Sequence, residues 1–271
     1  MSANVSSARI TGWVIDAVAF VATVSWMRWQ AWTAGDMVWS LWIASLCVGF
    51  TCFVAAFISL LARSIIGDHL STGIRHVIVA LSGVLVWLVL SQRSVDALVM
   101  AGLVIAAGLA LLMFEVDRET WSPAKLVASL VGGLFFLGFF TVHFGGFHAV
   151  HAVFLNSFFP LVPEAESDPF AALPTLIDTA AHHYPVMIAV AVIVQWKDLS
   201  AAPNPPQAMV TPYGTVVRLH LTILAIGFLQ AGGLAFWVNY LVLAIYFIPF
   251  GDIVRLRGRA DSDRDVEGST Q

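Results

Sequence analysis

Charge is what this sequence has least of. Of 271 residues, only 11% are Asp, Glu, Lys or Arg, less than half of the roughly one quarter found in soluble domains. So small a charged fraction cannot cover a water-facing surface. With 59% hydrophobic residues and a mean hydropathy of +0.86, the chain calls for a bilayer. Cysteine is almost absent. Cys47 and Cys52 lie in one apolar run on opposite sides of a helix, which argues against a disulfide or a paired-cysteine metal knuckle. Lysine is as scarce. Lys125 and Lys197 both flank apolar runs, so no lysine stands where a retinal Schiff base needs one. The HExxH, GxSxG and Walker patterns are missing, which removes the commonest metalloprotease, hydrolase and nucleotide-binding readings. No basic stretch is long enough to follow a phosphate backbone, so nucleic acid is excluded as a partner. The N-terminus lacks a signal-peptide cleavage pattern, and the first apolar run is expected to remain as a span.

What the chain has in plenty is long apolar runs. A helix needs about 20 apolar residues to cross the hydrocarbon core, and eight runs at roughly 10–27, 38–62, 75–91, 95–114, 124–158, 173–196, 213–231 and 235–254 satisfy this. The expected fold is an all-α, polytopic transmembrane bundle. It forms one domain over 1–258, followed by a polar cytoplasmic tail over 259–271. Ser122-Pro123 and Thr211-Pro212 read as helix starts, a capping residue followed by proline at the first helical position. With both termini inside, every Lys and Arg except Arg28 and Arg93 falls on the cytoplasmic side, as the positive-inside rule requires. That places the protein in a bacterial inner membrane. Trp26, Trp29, Trp32, Trp39 and Trp42 gather at the outer end of the first two spans, the pattern of an aromatic interface belt.

Ionisable groups within spans are costly and carry functional hypotheses. The outer half of the bundle holds most of them. The fifth span contains His143, His148 and His151, and the sixth contains Asp178, His182 and His183. His148 and His151 share a helix face, as do Asp178 and His182. Counted by helical rise, His151 and His182 lie about 10–12 Å from the outer ends of their spans. Gly145-Gly146 can bend the fifth span, and Pro185 should kink the sixth by depriving the Ala181 carbonyl of its partner. Asp36, at the outer start of the second span, can reach the same region. Neutral imidazole suits zinc, copper and iron, and three histidines with a carboxylate make a reasonable ligand set. His143, His148, His151, His182, His183, Asp178 and Asp36 are therefore the candidate metal ligands. An inner set, Asp16, His69, His76, Arg218, His220 and Asp252, reads as solvated or structural.

The segment His143-Phe144-Gly145-Gly146-Phe147-His148-Ala149-Val150-His151, with Asp36-Met37-Val38-Trp39-Ser40-Leu41-Trp42 and Arg218-Leu219-His220, resembles a family of uncharacterised bacterial multi-pass membrane proteins. Its members carry an H-[FY]-G-x-F-x-x-x-H element in a central span. The resemblance covers about 30–255 of the chain. It implies that His143, Gly145, Phe147 and His151 belong to the family pattern, with His148 outside it, and implies no activity.

The expected function is a membrane-embedded metalloprotein with its histidine-rich site in the outer half of the bilayer, open to an enzymatic role on a small or lipophilic substrate. A metal-ion or proton transporter is the alternative. A haem held between His143 or His151 and His182 is a weaker one, as is an accessory subunit with structural histidines. The lipid bilayer is the expected partner, with a homo-oligomer allowed.

Overall fold

A computed structural model describes residues 2–67, 70–91, 122–162 and 170–200, together with positions 99, 168, 217, 221 and 222. Every regular element among them is helical. Apart from those isolated positions, the expected spans at 95–114, 213–231 and 235–254 and the tail lie outside the described residues. The chain divides into two units, Met1–Ala31 with Leu224–Gln271, and Trp32–Ile223.

In the first unit the described element is α1, Ser2–Trp29. Within it the Thr23 hydroxyl donates back to the Ala19 carbonyl at 2.8 Å, which hides a polar group without a second helix. Trp26 and Trp29 meet edge-on near its end.

The second unit is built around α2, Ala34–Ile66. This helix starts earlier than its apolar run because Thr33 and Asp36 form a capping box. Thr33 Oγ1 accepts from the Asp36 amide at 3.2 Å, and Asp36 Oδ2 accepts from the Thr33 amide at 2.8 Å. Two amides without intrahelical partners are thereby satisfied. The helix stops at Gly67, which sits at φ 92°, ψ 177°, a region that side chains other than glycine enter only under strain. Gly67→Ala is expected to cost about 1–3 kcal/mol of stability, read as a lowered unfolding midpoint. An unchanged midpoint would show that the turn can relax.

The remaining elements wrap α2. They are α3 (Thr72–Ser91), α4 (Pro123–Phe140), a π-helical turn (Thr141–Gly145), α5 (Gly146–Phe158), α6 (Leu173–His183), α7 (Pro185–Val194) and the short α8 (Trp196–Ser200). All of the α-helices in this set pack against α2, while α3 also packs against α6 and α8, and α5 against α6. Of the most apolar stretch of α2, 72% is buried, against 11% for Pro123–Phe158. Among the described residues α2 is therefore the core helix and α4–α5 a peripheral one.

α2, α3 and Pro123–Phe158 are long and apolar enough to cross a membrane, and α6 with α7 makes a fourth such crossing if the bent pair is one span. The expected fifth span thus appears at the expected place. It begins at Pro123, although the Ser122 side chain makes no capping bond. Proline at the first helical position is enough to set the start. The run at 173–196, expected as the sixth span, forms two helices meeting at 78°. Pro185 supplies no amide to Ala181, and Tyr184 leaves the helical region at φ −122°, ψ 40°, as the residue before a proline tends to do.

Candidate functional site

The fifth span carries the family-like motif, and the motif coincides with the π turn. Thr141–Gly145 holds the His143-Phe144-Gly145 tripeptide. A wider turn of this kind disturbs the carbonyl ladder, and side chains repair it. Before the turn, Thr141 Oγ1 adds a bond to the Leu137 carbonyl at 2.8 Å, which the Thr141 amide also reaches. Nδ1 of His148 lies 3.0 Å from the Phe144 carbonyl. Trp42 Nε1 reaches across from α2 and donates to the His148 carbonyl at 3.1 Å. π turns recur at functional sites. This one is a junction where α2 and the α4–α5 helix exchange hydrogen bonds.

His148 is part of that junction. It is buried, and its Nε2 lies 3.3 Å from Ser45 Oγ. The carbonyl at Nδ1 can only accept, so Nδ1 carries the proton and Nε2 accepts from the serine. Both ring nitrogens are engaged by protein, and the ring packs on Phe144 at 4.2 Å. His151, also buried, stands edge-on to Phe147 at 5.2 Å. His143 is exposed and stacks on Phe139 at 5.6 Å.

A second group of candidates gathers at the break between α6 and α7. The Tyr184 hydroxyl donates to Asp36 Oδ1 at 2.8 Å. The other carboxylate oxygen, Oδ2, accepts from the Thr33 amide and from Thr33 Oγ1 at 2.7 Å. The Tyr184 ring meets Trp32 edge-on at 5.4 Å. His183, the residue before Tyr184, is exposed. Its Nδ1 lies 3.0 Å from the Thr179 carbonyl, and Nδ1 of His182 lies 2.9 Å from the Asp178 carbonyl. Both imidazoles therefore keep Nε2 as the basic nitrogen. His182 and Asp178 also pair at 3.4 Å, with side chains 56% and 37% exposed, so solvent weakens that pairing.

The seven candidate ligands fall into separate places: His148 in the helix junction, His151 and His143 on α5 and the π turn, and Asp36, His182, His183 and Asp178 around the break. Among the described residues no three His, Cys, Asp or Glu side chains stand close enough to hold one metal ion. Of the inner set, His76 is exposed beside the Trp196 ring at 5.9 Å. The backbone of Asp16 lies in α1, while His69, Arg218, His220 and Asp252 lie outside the described residues.

Sequence reasoning missed the roles of four participants. Tyr184 was signalled by its place before Pro185. Thr33 was signalled by its spacing to Asp36, the capping-box interval. Trp39 and Trp42 are not lipid-facing belt residues. Both are buried, and Trp39 Nε1 donates to the Phe159 carbonyl at 2.8 Å, as Trp42 does to His148. A buried indole N–H needs an acceptor, and the first turn of α5 and Phe159 just past its end offer carbonyls.

No curated protein and no solved structure matches the chain. Residues 1–256 match the family of unknown function DUF6498. That match spans the α2 start, the π turn and the α6–α7 break alike, and the chain belongs to the DUF6498 family.

Proposed function

We propose that the chain is an eight-span protein of a bacterial inner membrane, with both termini in the cytoplasm, that moves a small cation through the outer half of the bundle. The working site would be the break between α6 and α7. One observation carries this reading. A span-length apolar segment is interrupted where the Tyr184 hydroxyl donates to Asp36, with His183 the residue before the break. Broken membrane helices are tolerated where they line a cavity or bind an ion, and ionisable groups at such depth mark ion or proton pathways. The C-terminal end of α6 adds the negative end of a helix dipole beside His183, which favours cations.

Purified protein in sealed liposomes, loaded with a pH-reporting or a zinc-reporting dye, tests the proposal. The expected result is a proton or zinc flux that Asp36→Asn and His183→Ala each abolish. Absence of both fluxes from correctly folded protein would overturn it.

The metalloprotein reading keeps one supporting observation, the Asp178–His182 pair with His183 adjacent. On that reading purified protein retains zinc, copper or iron in proportion to chain, and His182→Ala releases it.

A further inference from the structure

We infer that α6 is a movable arm, hinged at Tyr184-Pro185 and held in place by the hydrogen bond from Tyr184 to Asp36. The inference concerns how the proposed cation site is opened, and rests on that reading for its purpose though not for its geometry.

The two halves of the broken span are seated differently. α7, Pro185–Val194, is apolar throughout and packs on α2. α6 is amphipathic. It buries only Leu176, Ala180 and Ala181, two of them alanines. Asp178, His182 and His183 stay more accessible, the two histidines exposed. An arm seated on so little side-chain volume gives up little packing when it moves.

The helical ladder is thinned at the hinge rather than lost: the Tyr184 amide donates to the Ala180 carbonyl at 3.0 Å and the Tyr184 carbonyl accepts from the Ile188 amide at 3.2 Å, while the Ala181 carbonyl finds no donor at position 185. Tyr184 is already outside the helical region. Hinges are commonly a few residues at element ends that absorb such dihedral change.

The hinge residue is nonetheless fixed by its side chain. Tyr184 is 3% exposed, its hydroxyl is spent on Asp36 Oδ1, and its ring leans on Trp32. Asp36 cannot follow a moving tyrosine, because Oδ2 is held twice by Thr33 in the α2 cap. α6 also packs on α2, α3 and α5, and the Tyr184–Asp36 bond is the hydrogen bond that ties its hinge residue to the α2 cap. It is also the bond that a cation at Asp36 would compete with. Binding at the site and release of the arm are the same event.

Spin labels at Thr175→Cys on α6 and Val77→Cys on α3, both exposed positions, report the arm through their distance distribution. Cys47 and Cys52 are buried and stay unlabelled. With the native hinge one narrow population is expected. Tyr184→Phe keeps the ring but removes the latch, and a second, separate population should appear. Thr33→Val removes one of the two bonds on Asp36 Oδ2 but leaves the Tyr184 hydroxyl its acceptor, and should lower the unfolding midpoint while broadening the distance less than Tyr184→Phe does. Pro185→Ala restores a donor for Ala181 and should shift the distance as the bend straightens. The arm is ruled out if Tyr184→Phe superimposes on the native distribution, or if Thr33→Val broadens it equally. Because the measurement involves no transported ion, a failed flux assay and an immobile α6 are separate results.

Discussion

Gly49→Ala is expected to destabilise the protein by about 1–3 kcal/mol, the usual cost of overpacking a filled core. The sign is what makes the experiment useful. Alanine is the better helix former by about 1 kcal/mol, and Gly49 lies inside α2, so propensity alone makes the substitution stabilising. The opposing effect is steric. A Cβ at Gly49 would overlap the ring of Phe144, and Phe144 is 1% exposed. It stacks on Phe140 at 4.4 Å on one side and on His148 at 4.2 Å on the other, and Phe50 closes it edge-on. The ring has no free direction to move. Gly133 gives an internal comparison. A Cβ there would meet Phe57, but Phe57 is only half-buried and can swing outward, so Gly133→Ala should be close to neutral. Thermal unfolding in detergent measures both. A stabilised Gly49→Ala protein would show that α2 and the π turn are not in close contact. Loss for Gly49→Ala that Phe144→Leu partly restores would locate the clash at that pair.

Much of the helical plan was open to reading in the sequence, because apolar run length is a one-dimensional signal. The second, third, fifth and sixth runs reappear as helices, and Pro123, Pro185 and Gly67 lie at their starts, break and stop. These effects act through the backbone of one or two residues and need no partner. The arrangement of the histidines was not open in the same way. A rotation of about 100° per residue sorts residues onto faces, but it does not say whether a face meets another helix. His148 faces Ser45 on α2, more than a hundred residues earlier in the chain. The π turn added a further difficulty, since an i→i+5 turn shifts the phase of everything beyond it. The tryptophans failed for the same reason. An indole at a span end reads as a belt residue from sequence, and only the position of the α5 carbonyls shows Trp39 and Trp42 to be interhelix donors. Asp36 was found as a candidate, but through its charge. The geometry that gives it a role comes from Thr33 in sequence and Tyr184 in space.

His148→Ala is expected to cost about 2–4 kcal/mol of stability through two buried polar groups losing their partners, and to leave any bound metal or cation flux of the surviving folded fraction unchanged. The Phe144 carbonyl would lose the imidazole bond at the end of the π turn, and the Ser45 hydroxyl, in a residue 1% exposed, would lose its acceptor at Nε2. The imidazole also fills the space between Phe144 and Trp42, so its removal leaves a cavity in the same place. A ligand histidine behaves in the opposite way, with metal lost and the fold retained. Stability and metal content measured on one sample therefore separate the two roles. A double-mutant cycle with Ser45→Ala refines the result. Direct partners within a membrane bundle couple by about 0.6 kcal/mol on average and up to about 1.7 kcal/mol, whereas a histidine serving a metal would show no coupling to Ser45. A His148→Ala protein of native stability that has lost its metal would return His148 to the ligand set and leave the π turn without its proposed clamp.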